Sequence, residues 1–392
     1  MKVDNKVELL LDSNVYVQRS KQEILFYNIY NKKNYVYKIS DEVCNVENNR
    51  VVWKEYNKEV DLLIDFIESN GMGRKVNSQK PFFILKNNFD ILYEMFSSII
   101  EREDAKLCTN SFVSLVVCLN QWKESDINED ILNFQGLFNI NEQKENIKGE
   151  VIKKLLTCYS FKNFKKIVFT GEDIFSIPLF YELLDFCENR YKVELLISFS
   201  DYLKIKKDIN FFLFKNINIR VMCDAFYLST SEIKLFNDVT IIGDIYVKNG
   251  DEVKKIRKYN IEKYISCINI IPYYKNNIDF LSHILTYSVK DILRTKHSII
   301  QIIRNKLINE LFWGKLIIQE DGTVYTGPNH FVGNIKIIPF QNILYQAGEV
   351  GSLWRYTRRS FKFCQDCIFQ NLCPPVSSIE ILTNRVFCDR KN

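Results

Sequence analysis

An α/β protein is predicted by three observations. Apolar stretches of strand length alternate with helical segments through residues 105–275, strand-like segments precede helices in residues 1–100, and four cysteines crowd residues 364–388. The first is the rhythm of right-handed βαβ units building a parallel sheet. The second describes an α+β module, and the third a cysteine-rich tail. At ~100–200 residues per domain, two or three domains are expected of 392 residues. The boundaries fall at 1–104, 105–312 and 313–392.

In the first unit, Val15–Val17, Ile24–Tyr30 and Tyr35–Ile39 read as strands, rich in Val, Ile, Tyr and Phe and separated by polar turns. Val51–Tyr56 is a candidate fourth. Asp61–Ser69 has helical spacing through Leu62, Leu63, Phe66 and Ile67 and stops at Asn70-Gly71. Pro81 opens the next segment, and Ile91–Ile100 is helical in pattern. A small sheet followed by helices suggests a winged-helix-like or other α+β module. An extended peptide could add to its strand edge, or the module could simply cap the larger sheet.

The middle unit reads as strand Phe112–Leu119, helix 146–159, strand Lys166–Thr170, helix Ser176–Arg190 and strand Val193–Ser198. Strands Asn218–Cys223, Val239–Ile242 and Ser266–Pro272 follow, with helix Asp251–Lys258 among them. Residues 276–312 are helical and amphipathic. Lys315–Ile318 and Val324–Thr326 then flank the turn Glu320-Asp321-Gly322, a hairpin whose Gly supplies a positive φ.

Composition narrows the function. Hydrophobic residues are 46% and charged residues 26%, which is ordinary for a folded soluble chain and excludes general disorder. A net charge of +5, from 53 basic and 48 acidic residues, does not call for nucleic acid or an anionic membrane. The charged start Met1-Lys2-Val3-Asp4 lacks the apolar core of a signal peptide. No apolar run approaches the roughly 20 residues of a membrane span. A cytoplasmic protein is expected, with neither membrane nor nucleic acid as partner.

There are 11 cysteines and 3 histidines. His283, His297 and His330 stand alone, so any metal chemistry is thiolate chemistry. Cys44, Cys108, Cys118, Cys158, Cys187, Cys223 and Cys267 are widely scattered and are expected to be small buried hydrophobes. The rest form Cys364-x2-Cys367-x5-Cys373-x14-Cys388. The x2 spacing lets two sulfurs face one centre from a tight turn, and the later pair can close a tetrahedral or cubane site. Zinc and an iron–sulfur cluster both accept four thiolates, and spacing alone does not choose between them.

The tail carries a family resemblance. Lys315-Leu316-Ile317-Ile318, Asp321-Gly322-Thr323-Val324-Tyr325, Val332-Gly333-Asn334-Ile335 and the Cys-x2-Cys-x5-Cys-Pro run resemble the SPASM domain. That domain holds auxiliary [4Fe–4S] clusters in radical SAM enzymes that mature peptides. The stretch from Gly351-Ser352-Leu353-Trp354 to Asn384-Arg385-Val386-Phe387-Cys388 resembles the pseudo-radical-SAM proteins of Bacteroidales peptide-modification systems. The resemblance implies a degenerate radical-SAM-like partial (β/α) barrel between an N-terminal α+β module and a SPASM-like tail.

Departures from the family pattern are informative. A full SPASM domain holds two clusters, and two ligands of one fall here at Gly327 and Ser377. The four cysteines present match the other cluster. This implies one [4Fe–4S] cluster at Cys364, Cys367, Cys373 and Cys388, with zinc as the alternative. The CxxxCxxC motif that chelates the SAM-binding cluster is absent; only Cys118 lies where it should begin. Val168-Phe169-Thr170-Gly171-Glu172-Asp173 resembles the stretch that receives the SAM amino group, with one glycine missing. Gly171 and Glu172 then read as a relic, or as an ordinary strand-to-helix turn, and bound SAM is not expected. Arg355, Arg358 and Arg359 precede the first ligand. They could contact an anion or a carboxylate-bearing peptide, or form a basic surface turn. Trp354 is expected to be a core or interface anchor.

The expected function is a non-catalytic partner in the maturation of a ribosomally made peptide. It would bind the precursor peptide, an active radical SAM maturase, or both. The alternatives are a SAM-independent iron–sulfur redox or electron-transfer protein and a zinc-stapled peptide-binding protein.

Overall fold

The computed structural model describes residues 7–39, 44–47, 50–53, 57–76, 88–101, 114–122, 127–137, 149–158, 166–228, 241–258, 268–349 and 352–391. The ends of several expected elements, Pro81, Cys108, Cys267 and Gly351 lie outside these residues.

The N-terminal unit has strands β1 (Val7–Leu11), β2 (Val15–Arg19), β3 (Glu23–Asn28), β4 (Asn34–Lys38), β5 (Cys44–Glu47) and β6 (Arg50–Trp53). Helix α1 (Lys58–Ser69), strand β7 (Gly73–Val76) and helix α2 (Asn88–Glu101) follow. They form a sheet ordered β5-β6-β1-β7 and a second ordered β2-β3-β4. The expected strands are present. β1, β5 and β7 were not anticipated; β7 (Gly-Arg-Lys-Val) has no apolar signal and exists through its backbone pairing with β1.

Helix α1 starts where Asn57 Oδ1 accepts from the Val60 amide at 3.0 Å. It ends at Asn70, followed by Gly71 at φ +59°. Its buried stripe is Val60, Leu63, Ile64 and Ile67, an i, i+3, i+4, i+7 pattern. Leu62 lies off this stripe and is 58% exposed, so the apolar face expected through Leu62 is rotated by about one position.

β3 is buried on both sides. Ile24 and Phe26 join the module core with Leu9, Trp53 and Leu63, while Leu25 and Tyr27 join Ile302, Ile368 and Leu372 from the C-terminal half. The small sheet is therefore a wall shared by the module and the tail.

The main sheet contains β8 (Ser114–Cys118), β9 (Lys166–Thr170), β10 (Lys192–Ser198), β11 (Asn218–Asp224), β12 (Ile241–Val247) and β13 (Ile268–Pro272). All of these pair in parallel and in sequence order. Successive right-handed crossovers in one direction put their helices on one face. That face buries Leu115, Ile167, Leu195, Val221 and Ile245. The same core includes Leu155 of Gly149–Cys158, Leu183 of Pro178–Cys187 and Ile256 of Gly250–Lys258. Cys187 and Cys223 belong to it, as expected of packing cysteines; Cys118 is buried on the other face.

That second face is covered differently. Its residues Val116, Cys118, Val168, Met222, Tyr246 and Tyr273 pack with Ile131 and Leu132 of helix α3 (Glu129–Gln135). Gln135 Nε2 donates to Tyr246 Oη at 2.8 Å.

Strand β14 (Lys315–Ile318) pairs in parallel with β8, and β15 (Thr323–Tyr325) and β16 (Phe331–Asn334) extend the same sheet antiparallel. The line drawn at residue 313 thus crosses one continuous nine-stranded sheet. The helical stretch 276–312 is broken into Ile278–Leu285, Val289–Arg294 and Ile299–Leu307. Ser288 and Ser298 begin new helices by accepting from the Asp291 and Gln301 amides at 3.0 and 3.1 Å. Among the described residues, no helix is long and apolar enough to cross a membrane.

Candidate metal centre

The x2 and x5 spacings become two consecutive turns. A single helical turn, Lys362–Gln365, carries Cys364, and the Cys367 amide donates to the Cys364 carbonyl at 3.1 Å. The next turn closes with the Cys373 amide on the Phe369 carbonyl at 2.9 Å. Cys388 arrives from the far end of the tail. An isolated bridge holds it beside Tyr287, whose amide donates to the Phe387 carbonyl at 3.2 Å and whose carbonyl accepts from the Asp389 amide at 3.2 Å.

All four thiols are free. Burial pushes the Cys364 thiol up to about 11, with the Arg358 guanidinium opposing and Cys367 and Cys388 adding to the rise. Burial also raises Cys373 and Cys388, and negative charge at the neighbouring cysteines adds to both. As the side chains stand, no group of three or more His, Cys, Asp or Glu among the described residues is placed to hold a metal ion. The donor chemistry nonetheless fits a thiolate-ligated centre. Buried thiolates that repel one another are stable only against positive charge, which a bound metal supplies.

The loops around the cysteines are held by buried polar groups. Arg358, 4% exposed, pairs with Glu380 and donates to the carbonyls of Pro374 at 2.8 Å and Pro375 at 3.3 Å. Glu380 Oε2 in turn accepts from the Ser377 amide and hydroxyl, each at 3.0 Å. Asn305 donates to the carbonyls of Asn371 at 3.1 Å and Cys373 at 3.2 Å, and Asn309 to those of Tyr356 and Val376. Cys367 and Cys373 pack at the edge of the apolar cluster that includes Leu25, Tyr27 and Ile302.

The three arginines named from the sequence have different settings. Arg358 faces inward, so its guanidinium organises the tail. Arg355 donates to the Gly348 carbonyl at 2.6 Å, and exposed Arg359 reaches Gln370 at 3.3 Å. Trp354 is fully buried, with its indole N–H on the Lys315 carbonyl at 3.1 Å, which makes it the anchor that was expected.

Gly327 and Ser377, where the resemblance leaves ligands missing, have structural settings. A Cβ on Gly327 would lie 2.8 Å from the Phe312 ring and 2.9 Å from Leu353 Cδ1. Ser377 caps the helix Ser378–Thr383 in a capping box with Glu380.

Gly171 and Glu172 lie at the C-terminal end of β9. Gly171 has φ +132°, and a Cβ there would stand 2.6 Å from the Asn120 carbonyl oxygen. Asn120 Nδ2 donates back to the Glu172 carbonyl at 3.1 Å. Close approach of two strand ends explains this glycine. Cys118 beside it is 1% exposed, and burial holds its thiol neutral.

One group of residues escaped the sequence reading. At the N-terminal end of the sheet's second face, a polar row crosses successive strands: Lys166, Glu194, Arg220, Asp244 and Asn269. Lys166 meets Glu194 at 3.0 Å, Arg220 meets Glu194 at 3.6 Å and also pairs with Asp244, and Asn269 donates to Asp244 at 2.8 Å. A cavity of about 270 Å³ opens on this row and is also lined by Lys315 and Trp313. The signal was present: Glu194, Arg220 and Asp244 each interrupt an otherwise apolar strand, at positions facing the same side.

No protein-family model matches the chain, and no curated protein does. Among solved structures it is similar to Streptococcus suis SuiB bound to S-adenosylmethionine, at 11% identity and TM-score 0.42 over 96% of each chain. SuiB bound to precursor peptide SuiA gives 10% and 0.44, over 96% of this chain and 97% of that one. Native anSMEcpe with bound AdoMet and the Kp18Cys peptide gives 14% and 0.41, over 67% of this chain and 88% of that one. At these identities and scores the likeness assigns neither family nor function.

Proposed function

We propose that the protein is a non-catalytic, pseudo-radical-SAM partner in the maturation of a ribosomally synthesised peptide. It carries one auxiliary-type [4Fe–4S] cluster on Cys364, Cys367, Cys373 and Cys388. It binds the precursor peptide, an active radical SAM maturase, or both. The observation that carries this reading is in the cysteine pattern: four cysteines fall within residues 364–388 at x2, x5 and x14 spacings, while no CxxxCxxC triad exists anywhere in the sequence.

Three features support it. The tail motifs resemble the SPASM family. The two positions of the second cluster's missing ligands have packing and capping roles. The strand ends at Asn120, Gly171 and Glu172 are closed on one another, and Cys118 is packed in the core. A cluster with four protein ligands stores or relays an electron, or staples its subdomain, and has no open iron for SAM. The chain's own residues position the thiols through Arg358, Asn305 and the two turns. Asn371 and Arg390, through Tyr16 and Glu23, tie the cysteine loops to the small N-terminal sheet, a route by which a peptide on that module could be sensed at the tail.

Anaerobic purification with iron and sulfide analysis tests the centre: about four of each per chain are expected. One zinc and no iron would leave the zinc-stapled alternative. Incubation with SAM and dithionite should give no 5′-deoxyadenosine, and its formation would end the pseudoenzyme reading. Co-purification with a radical SAM maturase and its precursor peptide tests the partner assignment, which fails if neither associates under anaerobic conditions.

A further inference from the structure

The cavity on the second face of the sheet has unequal charge. Glu194 is shared by Lys166 and Arg220, and Asp244 is held by Arg220. Glu310, at the rim, pairs with Arg304 at 2.8 Å. These groups balance. Lys315 remains: its side chain lines the same cavity, and among the described residues its ammonium makes no hydrogen bond or ion pair. A second donor is unmet nearby, because Arg220 Nε is buried with no acceptor. Between these donors and the apolar wall formed by Val116, Leu196 and Trp313, the space suits an amphipathic anion.

We propose that this cavity binds a carboxylate-bearing ligand of about amino-acid size. Its carboxylate meets the Lys315 ammonium, and its short apolar part lies against Trp313. At ~30 Å³ per water molecule, 270 Å³ equals the share of about nine waters. That is adequate for a short-chain acid or an acidic side chain. The electrostatics agree. Burial pulls the Lys315 ammonium down to about 8, Lys166 and Arg220 add to the effect, and Glu194 opposes it. An arriving anion relieves that cost. The proposal is independent of the metal centre and of the maturation reading.

The test is ligand-observed NMR with the full chain at pH 7. Sodium butyrate and an acetylated, amidated pentapeptide carrying one Glu are the probes, and butanol is the neutral control. Saturable binding by butyrate assigns a free small acid as the source, and binding by the peptide alone assigns a peptide side chain. Lys315→Met should weaken binding at least tenfold, Lys315→Arg should retain most of it, and wild-type affinity should fall as pH rises through about 8. No saturable binding by either probe would overturn the proposal. Equal binding of butanol, or unchanged affinity in Lys315→Met, would overturn it too.

Discussion

Arg358 is worth more to the tail as a strut than as a surface charge. Its removal would leave Glu380, 1% exposed, as a buried carboxylate without a counter-ion. Breaking one partner of such a pair costs about 3–5 kcal/mol. Arg358→Ala should lower denaturant stability by that order and loosen the loop at Pro374-Pro375, whereas Arg359→Ala, at an exposed side chain, should change stability by less than about 0.5 kcal/mol. Gly327→Cys would force a side chain against Phe312 and Leu353. It should cost about 1–3 kcal/mol as overpacking and should not raise iron content, even combined with Ser377→Cys. Lys315 gives a pH prediction. Its folded-state pKa of about 8 lies below the ordinary 10.5, so the unfolded chain holds that proton more tightly. Stability should therefore rise as pH increases from about 8 to 10.5, and Lys315→Met should flatten that rise in denaturant titrations.

At the scale of the element, capping residues decide where chains turn. Ser377 begins the helix Ser378–Thr383 and also hydrogen-bonds the Glu380 carboxylate that pairs with Arg358. Ser377→Ala should cost about 0.5–2 kcal/mol, read by chemical denaturation, whereas Ser377→Thr should keep most of the cap. Elements with a strong local signal were legible in the sequence: Lys166–Thr170 matches its strand end to end, and Asn70-Gly71 stops α1. Elements held by pairing alone were not. β7 is Gly-Arg-Lys-Val, and only its ladder with β1 makes it a strand. β3 lost its alternation because both faces are covered, one by the module core and one by the tail.

Across the whole molecule, the small sheet β2-β3-β4 links the two ends of the chain. Asn371 Nδ2 donates to Tyr16 Oη at 2.8 Å, and Arg390 pairs with Glu23 at 2.6 Å. Cys367 and Cys373 border the same cluster as Leu25. On the proposed reading, removal of the cluster, or Cys373→Ser, should therefore speed amide exchange in β2–β4 as well as in the tail. The sheet β5-β6-β1-β7, whose core lies on the other side of β3, should change little. Exchange that changes only in residues 352–391 would show that the module and the centre are uncoupled.

The sequence by itself determined the α/β rhythm, the four-thiol set and the lack of a SAM-cluster motif, because each is written in local spacing. Only the tertiary structure decided what those residues meet. It turned Arg358 inward onto Glu380, joined the tail hairpin to β8 and placed the module's sheet against the cysteine loops. It also aligned Lys166, Glu194, Arg220 and Asp244 from four strands beside Lys315. The physical reason is the sheet itself. Strand register brings together side chains that lie far apart along the chain, and burial then requires each charge to find a partner. Beside that row, the Lys315 ammonium makes no ion pair with a described residue, and the proposed carboxylate would supply one.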